Sequence, residues 1–102
     1  MAAKKIDTDN LRQNAEGASQ LLKTIANPHR LMILCTLIDG ELSVGEINDR
    51  IDISQSTLSQ HLAILRESGH VETRREAQTI YYSLHSREVE LLMDCLYRIF
   101  CE

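Results

Sequence analysis

Hydroxyl and amide side chains follow one another closely between residues 55 and 60. They are Gln55, Ser56, Thr57, Ser59 and Gln60. Leu58, Leu62 and Leu65 recur through the same segment at the spacing of one helix face, so we expect most of the polar groups on the exposed side. Side chains that both donate and accept hydrogen bonds match the base edges of the DNA major groove. The pattern predicts a helix that reads DNA sequence; a solvated helix surface is the plainer alternative.

Cationic side chains nearby could bind the phosphates beside such bases. Arg66 lies on the same predicted helix, and Arg74, Arg75 and Gln78 lie in the segment that follows it. Guanidinium groups bind phosphate oxygens well, so we expect contacts with the DNA backbone or minor groove, the alternative being ordinary polar residues of a hairpin. For His61 the sequence leaves two interpretations open, a DNA contact or a partly buried, hydrogen-bonded packing residue.

Thiols are the other reactive groups of the chain. Cys35 and Cys101 lie on different predicted helices, and Cys95 points about 120° away from Cys101 around the last helix. From the residues alone, Cys35 is a core cysteine or a reactive thiol, and Cys101 is a bystander near the chain end or its partner. Both lie toward helix C-termini, where the helix dipole disfavours a thiolate. We expect Cys95 in packing or in a subunit interface.

Two predicted helices precede the polar segment. Apolar residues at helical spacing predict a first helix over residues 8–26. Asn27 is a good helix cap and Pro28 suits the first helical position, so a second helix follows and reaches about Ile38. Residues 1–6 are expected to be disordered.

Residues 43–69 have the pattern of a helix-turn-helix. Ser43, with Glu46 three residues later, is a capping box that opens a third helix ending near Ile51. Ser54 then caps the fourth helix, which carries the polar face described above and ends at Gly69. The two helices are separated by the short turn that this motif requires.

Residues 70–84 predict a two-stranded wing, with strands over 71–75 and 79–84. Ser86 caps a last helix over residues 86–102, which is apolar on more than one face. A helix with more apolar surface than one small core can bury usually packs on a partner.

The elements add up to one domain over residues 1–102. Its fold class is mostly α with a β-hairpin wing, in the order α-α-α-α-β-β-α, that is, a winged helix-turn-helix. We expect a homodimer in which residues 8–26 and 86–102 are the dimerisation helices.

Composition bounds the class of protein. The chain has 102 residues, 43% of them apolar, and a net charge of −4, which argues against indiscriminate nucleic-acid binding. The acidic excess lies in residues 39–52, whereas residues 53–85 are neutral overall. No signal peptide or membrane-spanning run is recognisable, so we expect a cytoplasmic protein with reduced thiols and no membrane partner. No catalytic constellation or phosphate loop appears, so neither an enzyme nor a cofactor is expected.

Three segments resemble ArsR/SmtB-type bacterial transcriptional regulators: NPHRLMILCTL, ELSVGEI and SQSTLSQHLAILRESGHVETRREAQTIYYSL. The resemblance extends from about residue 18 to 102. The ILC of residues 33–35, the EAQTIYYSL wing and the terminal IFCE are most similar to the thiol-based, BigR/SqrR/HlyU-like branch. The resemblance implies a homodimer that binds a palindromic operator in double-stranded DNA. It also implies that Cys35 and Cys101, which match the sensing cysteines of that branch, respond to reactive sulfur or oxygen species.

The metal sites of the family are not matched. Where metal-sensing members carry cysteine in the third helix, this chain has Ser43 and Gly45. The positions of the other family site, on the last helix, hold Ser86, Glu88, Ile99 and Glu102. Two carboxylates without imidazole or thiolate suit a transition metal poorly. No metal site is therefore expected.

The resulting prediction is a sequence-specific repressor that loses its operator when oxidation or persulfide or polysulfide modification joins Cys35 and Cys101. Three alternatives stay open. The first is an activator that displaces a silencer, the second a metal-responsive repressor with a non-standard site, and the third a winged helix used as a protein-interaction module.

Overall fold

The computed structural model describes residues 5–102. Disorder was expected for residues 1–6. Residues 1–4 lie outside the described residues, and residues 5 and 6 belong to no helix or strand. Five helices and three strands follow in chain order: α1 Thr8–Ile25, α2 Pro28–Thr36, β1 Leu42–Ser43, α3 Val44–Arg50, α4 Gln55–Glu67, β2 Val71–Glu76, β3 Thr79–Leu84 and α5 Arg87–Cys101. The winged helix-turn-helix expected from the sequence is confirmed.

Side-chain caps account for where the helices begin. Asn27, Ser43, Ser54 and Ser86 each accept a hydrogen bond from a backbone N–H of the helix that follows, as their sequence context predicts. Asp7 does the same for α1, for which no cap was predicted. The end of α2 was predicted two residues too late, because residues 37–39 continue as turns stabilised by backbone bonds from Leu37 and Ile38.

The wing belongs to a three-stranded antiparallel sheet in the order β1-β3-β2. The sequence predicted two strands and missed β1, because two residues are too few to show a strand's alternation. β1 pairs with β3 through Leu42 opposite Tyr82 and so ties the wing to the start of α3. The hairpin is also tighter than predicted, since Glu76 pairs with Thr79 and leaves a two-residue loop. Ala77 in this loop has a φ of 56°, which only glycine adopts without cost.

One hydrophobic core joins α2, α3, α4, β2 and α5. Its fully buried members include Ile33, Leu34, Ile47, Leu58 and Met93. Helix α1 contributes Ile25 alone as a buried residue, and all of residues 8–20 are exposed. The apolar stripe that predicted α1 therefore lies outside the core of the protomer.

The C-terminal half of α5 also leaves large apolar side chains at the surface. Val89 and Met93 are buried, whereas Leu91, Tyr97, Ile99 and Phe100 are exposed, the last by 78%. Within residues 5–102, no helix is both long enough and apolar enough to cross a membrane.

Candidate nucleic-acid interface and dithiol site

Helix α4 presents a polar face because its other face is fixed in the core. Leu58, Leu62 and Leu65 are each no more than 2% exposed. The exposed hydroxyl and amide residues of this helix, hereafter the reading face, are Gln55, Ser56, Ser59 and Gln60. Four of the five residues expected to read bases thus form one accessible surface whose orientation the leucines determine.

Thr57, the fifth of these residues, is placed differently. Its side chain is half-buried, and the hydroxyl of Ser54 donates a hydrogen bond to Thr57 Oγ1 at 2.7 Å. Ser54 Oγ also accepts from the Thr57 backbone N–H at 3.2 Å. The Thr57 hydroxyl therefore belongs to the N-cap of α4, and the helix start is held from both sides.

The turn between α3 and α4 is stabilised by a side-chain hydrogen bond that was not predicted from the sequence. The side-chain amide of Asn48 donates to the carbonyl oxygen of Ile53 at 2.9 Å. At the other end of α3, the predicted capping box is present: Glu46 N–H donates to Ser43 Oγ, and Ser43 N–H donates to the Glu46 carboxylate. These hydrogen bonds lower the pKa of the Glu46 carboxyl, so the cap is retained at neutral pH. Helix α4 is thereby held at a fixed angle to α3.

A groove runs along α4 toward the sheet. Ser59 and Arg66, two helical turns apart, line it together with Val44 and Tyr82. Arg66 is exposed at its rim. The groove is wide and open to solvent, so both side chains can reach a large polar partner on this side of the molecule.

The two wing arginines lie in different electrostatic surroundings. Arg74 donates two hydrogen bonds to the Glu41 carboxylate, at 2.6 and 3.1 Å, and one to Glu76 at 2.9 Å. Its guanidinium also stacks over the Tyr81 ring, 4.7 Å from the ring centre. These carboxylates raise the pKa of Arg74, and Arg74 in turn lowers the pKa of Glu41. The charge of Arg74 is therefore largely neutralised within the wing.

Arg75 projects from the opposite face of β2, where it pairs across the sheet with Ile80. It is exposed, and in the described part of the chain no ion pair involves it. Gln78 is exposed in the hairpin loop. Within residues 5–102, the wing thus offers Arg75 and Gln78 unpaired, whereas the charge of Arg74 is already shared with two carboxylates.

His61 is half-buried and lies against α2. Its Nδ1 is 3.2 Å from Arg30 Nη1, and its ring meets that of His29 edge-on at 5.4 Å between ring centres. Burial, followed by the charges of Arg30 and His29, lowers the pKa of His61. The hydrogen-bonded packing role that the sequence left open is therefore realised in the free protein.

Cys35 and Cys101 line the same cavity. The cavity, of about 420 Å³, lies between α2 and α5, and most of its wall is apolar, with Leu31, Leu96 and Phe100 among the lining residues. Cys35 is half-buried, and its thiol lies 3.9 Å from the sulfur of Met93. Burial, with a smaller effect of Cys101, raises the pKa of Cys35. Cys101 and Cys95 are exposed, all three thiols are free, and Cys95 lines neither this cavity nor the neighbouring cleft.

That cleft opens on the other side of Cys35 and is polar. Asp39, Asp94, Arg98 and Glu102 line it. Arg98 donates to Asp94 at 3.0 Å, so its charge is already partnered and the cleft keeps an acidic character. Across residues 5–102, no cluster of three or more His, Cys, Asp or Glu side chains is arranged to hold a metal ion.

Comparison with known proteins gives concordant results. The family model described as "Bacterial regulatory protein, arsR family" matches residues 27–73. The transcriptional activator HlyU of Vibrio cholerae serotype O1 is 50% identical over 97 residues, covering 95% of this chain and 90% of its own. The structure of reduced HlyU from Vibrio cholerae N16961 has a TM-score of 0.86 at 52% identity, covering 91% of this chain and 98% of that one. The structure of the transcriptional repressor BigR from Xylella fastidiosa has a TM-score of 0.89 at 46% identity, covering 95% and 99%.

The unequal pairing of the wing arginines yields a prediction. Replacing Arg75 by alanine should weaken DNA binding on specific and random sequences alike, and should reduce the slope of log affinity against log salt by about 0.9, because one phosphate contact is lost. The matched Arg74→Ala variant should change the slope less, since its charge is already neutralised by Glu41 and Glu76. Titrations of fluorescent duplexes at several salt concentrations measure both slopes. Equal reductions in the two variants would contradict the assignment.

Proposed function

Because this chain belongs to the arsR family of bacterial transcriptional regulators, we propose that it binds a palindromic operator as a homodimer and reads the sequence with α4. The observation that carries this proposal is the reading face, whose four side chains are exposed on a helix that is held in the core by three buried leucines. Hydrogen-bonding side chains on a rigid helix suit base readout. The open groove beside α4, with Arg66 at its rim, supplies a cation for the adjacent phosphates.

Base readout is tested by replacing one side chain of the reading face. Gln60→Ala should lower affinity for the operator by about 1–3 kcal/mol for a lost bidentate base contact and leave affinity for random DNA nearly unchanged. Glu67→Ala is the control on the same helix: Glu67 lines the groove with Arg66 and carries no proposed base contact, so loss of its negative charge should change affinity for operator and random DNA by the same factor. An equal loss on operator and random DNA would exclude base readout by Gln60.

The homodimer is proposed from the apolar surface that one protomer leaves uncovered. Leu11 and Leu22 on α1 are 57% and 54% exposed, and Ile99 and Phe100 on α5 are exposed further still. Two amphipathic helices with open apolar faces can bury them against their copies in a second protomer. Such a pairing presents two reading faces related by a two-fold axis, which fits half-sites about 10 bp, or a multiple of that, apart.

The oligomeric state is therefore the next prediction. Light scattering at micromolar concentration should give the mass of two chains. Leu11→Glu should shift the equilibrium toward one chain, because a charge would be buried in the interface. Gln13→Glu adds the same charge on the other side of α1 and should leave the dimer intact. A monomeric wild-type protein would refute the proposal.

The regulatory signal is proposed to act through Cys35 and Cys101. Their common cavity supports this, because both residues line the same space between α2 and α5. Exposed Cys101 reacts first: its thiolate attacks a peroxide oxygen, the O–O bond breaks, and a sulfenic acid and water form. The Cys35 sulfur then attacks the Cys101 sulfur, a disulfide forms and a second water leaves. With a polysulfide, the Cys101 thiolate attacks a sulfane sulfur and the shortened polysulfide leaves. Cys35 then attacks the sulfur chain on Cys101 and hydrosulfide leaves; a disulfide forms when Cys101 carries one added sulfur, and a trisulfide forms when it carries two.

Such a link would join α2, which packs on α4, to α5, a proposed dimerisation helix. A covalent tie at this junction changes the relative placement of the two reading faces and so disfavours the operator-bound form. The effect on transcription is repression relieved by the signal. The activator HlyU is also a relative, so activation by displacement of a silencer is the second candidate for the sign of regulation.

The dithiol proposal makes a quantitative prediction. Hydrogen peroxide or polysulfide should lower operator affinity by at least about tenfold, or about 1.4 kcal/mol. Cys35→Ser and Cys101→Ser should each abolish the response while retaining basal binding, and Cys95→Ser should leave the response in place. Mass spectrometry of the treated proteins identifies the linked peptides. Release of DNA by the treated Cys35→Ser/Cys101→Ser double variant would exclude these thiols.

Two rival functions are separated by simple measurements. A metal-responsive repressor would bind zinc, nickel or copper ions tightly at a non-standard site and lose the operator without any thiol modification. A protein-interaction module would show a ratio of operator to random-DNA affinity near one in a selection from random sequences.

A further inference from the structure

Arg30, at the start of α2, contacts both α1 and α4, two helices that have few other contacts with each other. Its Nε donates a hydrogen bond to the carbonyl oxygen of Thr24 in the last turns of α1. Its Nη1 lies 3.2 Å from Nδ1 of His61, in the middle of α4. Asn27, the cap of α2, accepts from the Arg30 backbone N–H at 3.1 Å and so holds the residue in place. One half-buried side chain thus bridges the end of α1 to the helix that carries the reading face.

This bridge matters because α1 has few other ties to its own protomer. Ile25 is its single buried residue, and Leu21 packs partly against the core. Among the described residues, the bond from Arg30 to Thr24 is the one side-chain hydrogen bond between α1 and another element. The placement of α4 relative to α1 therefore depends on Arg30 and on His61, the residue of α4 that Arg30 contacts.

The contact also fixes the chemical state of His61. Arginine has only hydrogen-bond donors, so Nδ1 of His61 must be the acceptor. The ring is then neutral, with its hydrogen on Nε2. A protonated ring would carry hydrogens on both nitrogens and would face the Arg30 charge, so the bridge would break.

We propose that Arg30 is a positioning residue that, through neutral His61, sets the placement of the reading helix relative to α1. The inference rests on the function proposed above, in which α4 reads DNA and α1 helps to form the dimer. The Arg30–His61 contact then links the dimer interface to the reading faces and sets the separation at which two half-sites are read.

Acidification distinguishes two possible roles of His61, the neutral bridge to Arg30 and a cationic contact with a DNA phosphate, because it would change operator affinity in opposite directions. The groups facing the ring are Arg30 and His29, both on α2, and both disfavour its protonation. A depressed histidine pKa gives stability that is present above the ordinary value of about 6.5 and is lost as the pH falls through the lowered value. A bridging His61 therefore weakens operator binding in acid. A histidine that contacts phosphate as a cation would instead strengthen it.

Two substitutions at one position separate the ring nitrogens. His61→Asn keeps an oxygen acceptor near the place of Nδ1 and does not titrate. His61→Gln keeps a donor near the place of Nε2 and loses the acceptor for Arg30. His29→Gln removes the neighbouring titratable ring, so a loss of affinity in acid that persists in this variant belongs to His61 and not to His29. Circular dichroism and the dimer mass establish that each variant is folded before DNA is added.

The first measurement needs no DNA. Nitrogen-15 NMR of the histidine rings in the free protein should show His61 as the neutral tautomer with hydrogen on Nε2 at neutral pH, and Arg30→Gln should abolish that preference. A His61 ring that is protonated at neutral pH, or that carries its hydrogen on Nδ1, overturns the inference whatever the DNA results.

The second measurement uses duplexes selected from a random pool by the wild-type protein, at their natural half-site spacing and with one base pair added or removed. Once the pH falls below the lowered pKa of His61, the wild type should lose up to about tenfold more operator affinity per pH unit than His61→Asn, which does not titrate at this position. His61→Gln should behave at neutral pH like the acidified wild type and discriminate less between spacings.

Three results contradict the proposal. A wild-type affinity that rises in acid relative to His61→Asn assigns His61 to the phosphate. Identical spacing profiles for His61→Asn and His61→Gln remove the positioning role. Failure of the folded wild type to select any duplex, with the tautomer as expected, overturns the proposed function and leaves the Arg30–His61 contact as a structural bond alone.

Discussion

Leu58, Leu62 and Leu65 pack under α4 against α2 and β2, and the orientation of every polar group on that helix follows from their burial. Each buried leucine contributes about 1.5–3 kcal/mol relative to an exposed one, so rotation of α4 about its axis would cost several kcal/mol. The cap at Ser54 and the Asn48–Ile53 hydrogen bond add a fixed start and a fixed angle. A surface that must match base edges within a few tenths of an ångström needs such rigid support.

The small core leaves the apolar residues of α1 and of the end of α5 exposed to solvent in one protomer. A domain of this size cannot bury two further amphipathic helices, and their apolar faces are what a second copy would cover. The proposed thiol switch lies at the border of the two regions, since Cys35 belongs to the helix packed on α4 and Cys101 to the helix offered to a partner. The Arg30 bridge connects α4 with α1, the other helix offered to a partner. In the two proposals, the dimer interface and the reading face would be coupled through two contacts of different chemistry, one covalent when oxidised and one a hydrogen bond.

Charge placement explains how an acidic chain can carry a DNA-binding surface. The acidic groups of residues 39–52 lie mainly before α4, and one of them, Glu41, is used to hold Arg74 and so to fix the wing on the start of α3. The wing is anchored by an ion pair and by the β1–β3 pairing, while Arg75 and Gln78 stay free at its outer part. Because Arg74 is paired with Glu41, it contributes less to the positive potential of the wing. Binding then depends more on specific hydrogen bonds than on a general attraction to phosphate.

Local sequence was enough to predict the five helices, the wing hairpin and four of the helix caps, because Ser43, Ser54, Ser86 and the leucine spacing act within a few residues of one another. It also determined which side chains of α4 are polar and which are apolar. Tertiary structure decided what each functional group touches. The partners of Arg74, His61 and Cys35, which are Glu41, Arg30 and Met93, lie 33, 31 and 58 positions away along the chain. β1 escaped prediction for the same reason, since two residues become a strand only when β3 lies beside them. The spacing of apolar residues shows which face of a helix or strand is buried. It does not show which distant residues come into contact, because that depends on how the helices and strands pack together.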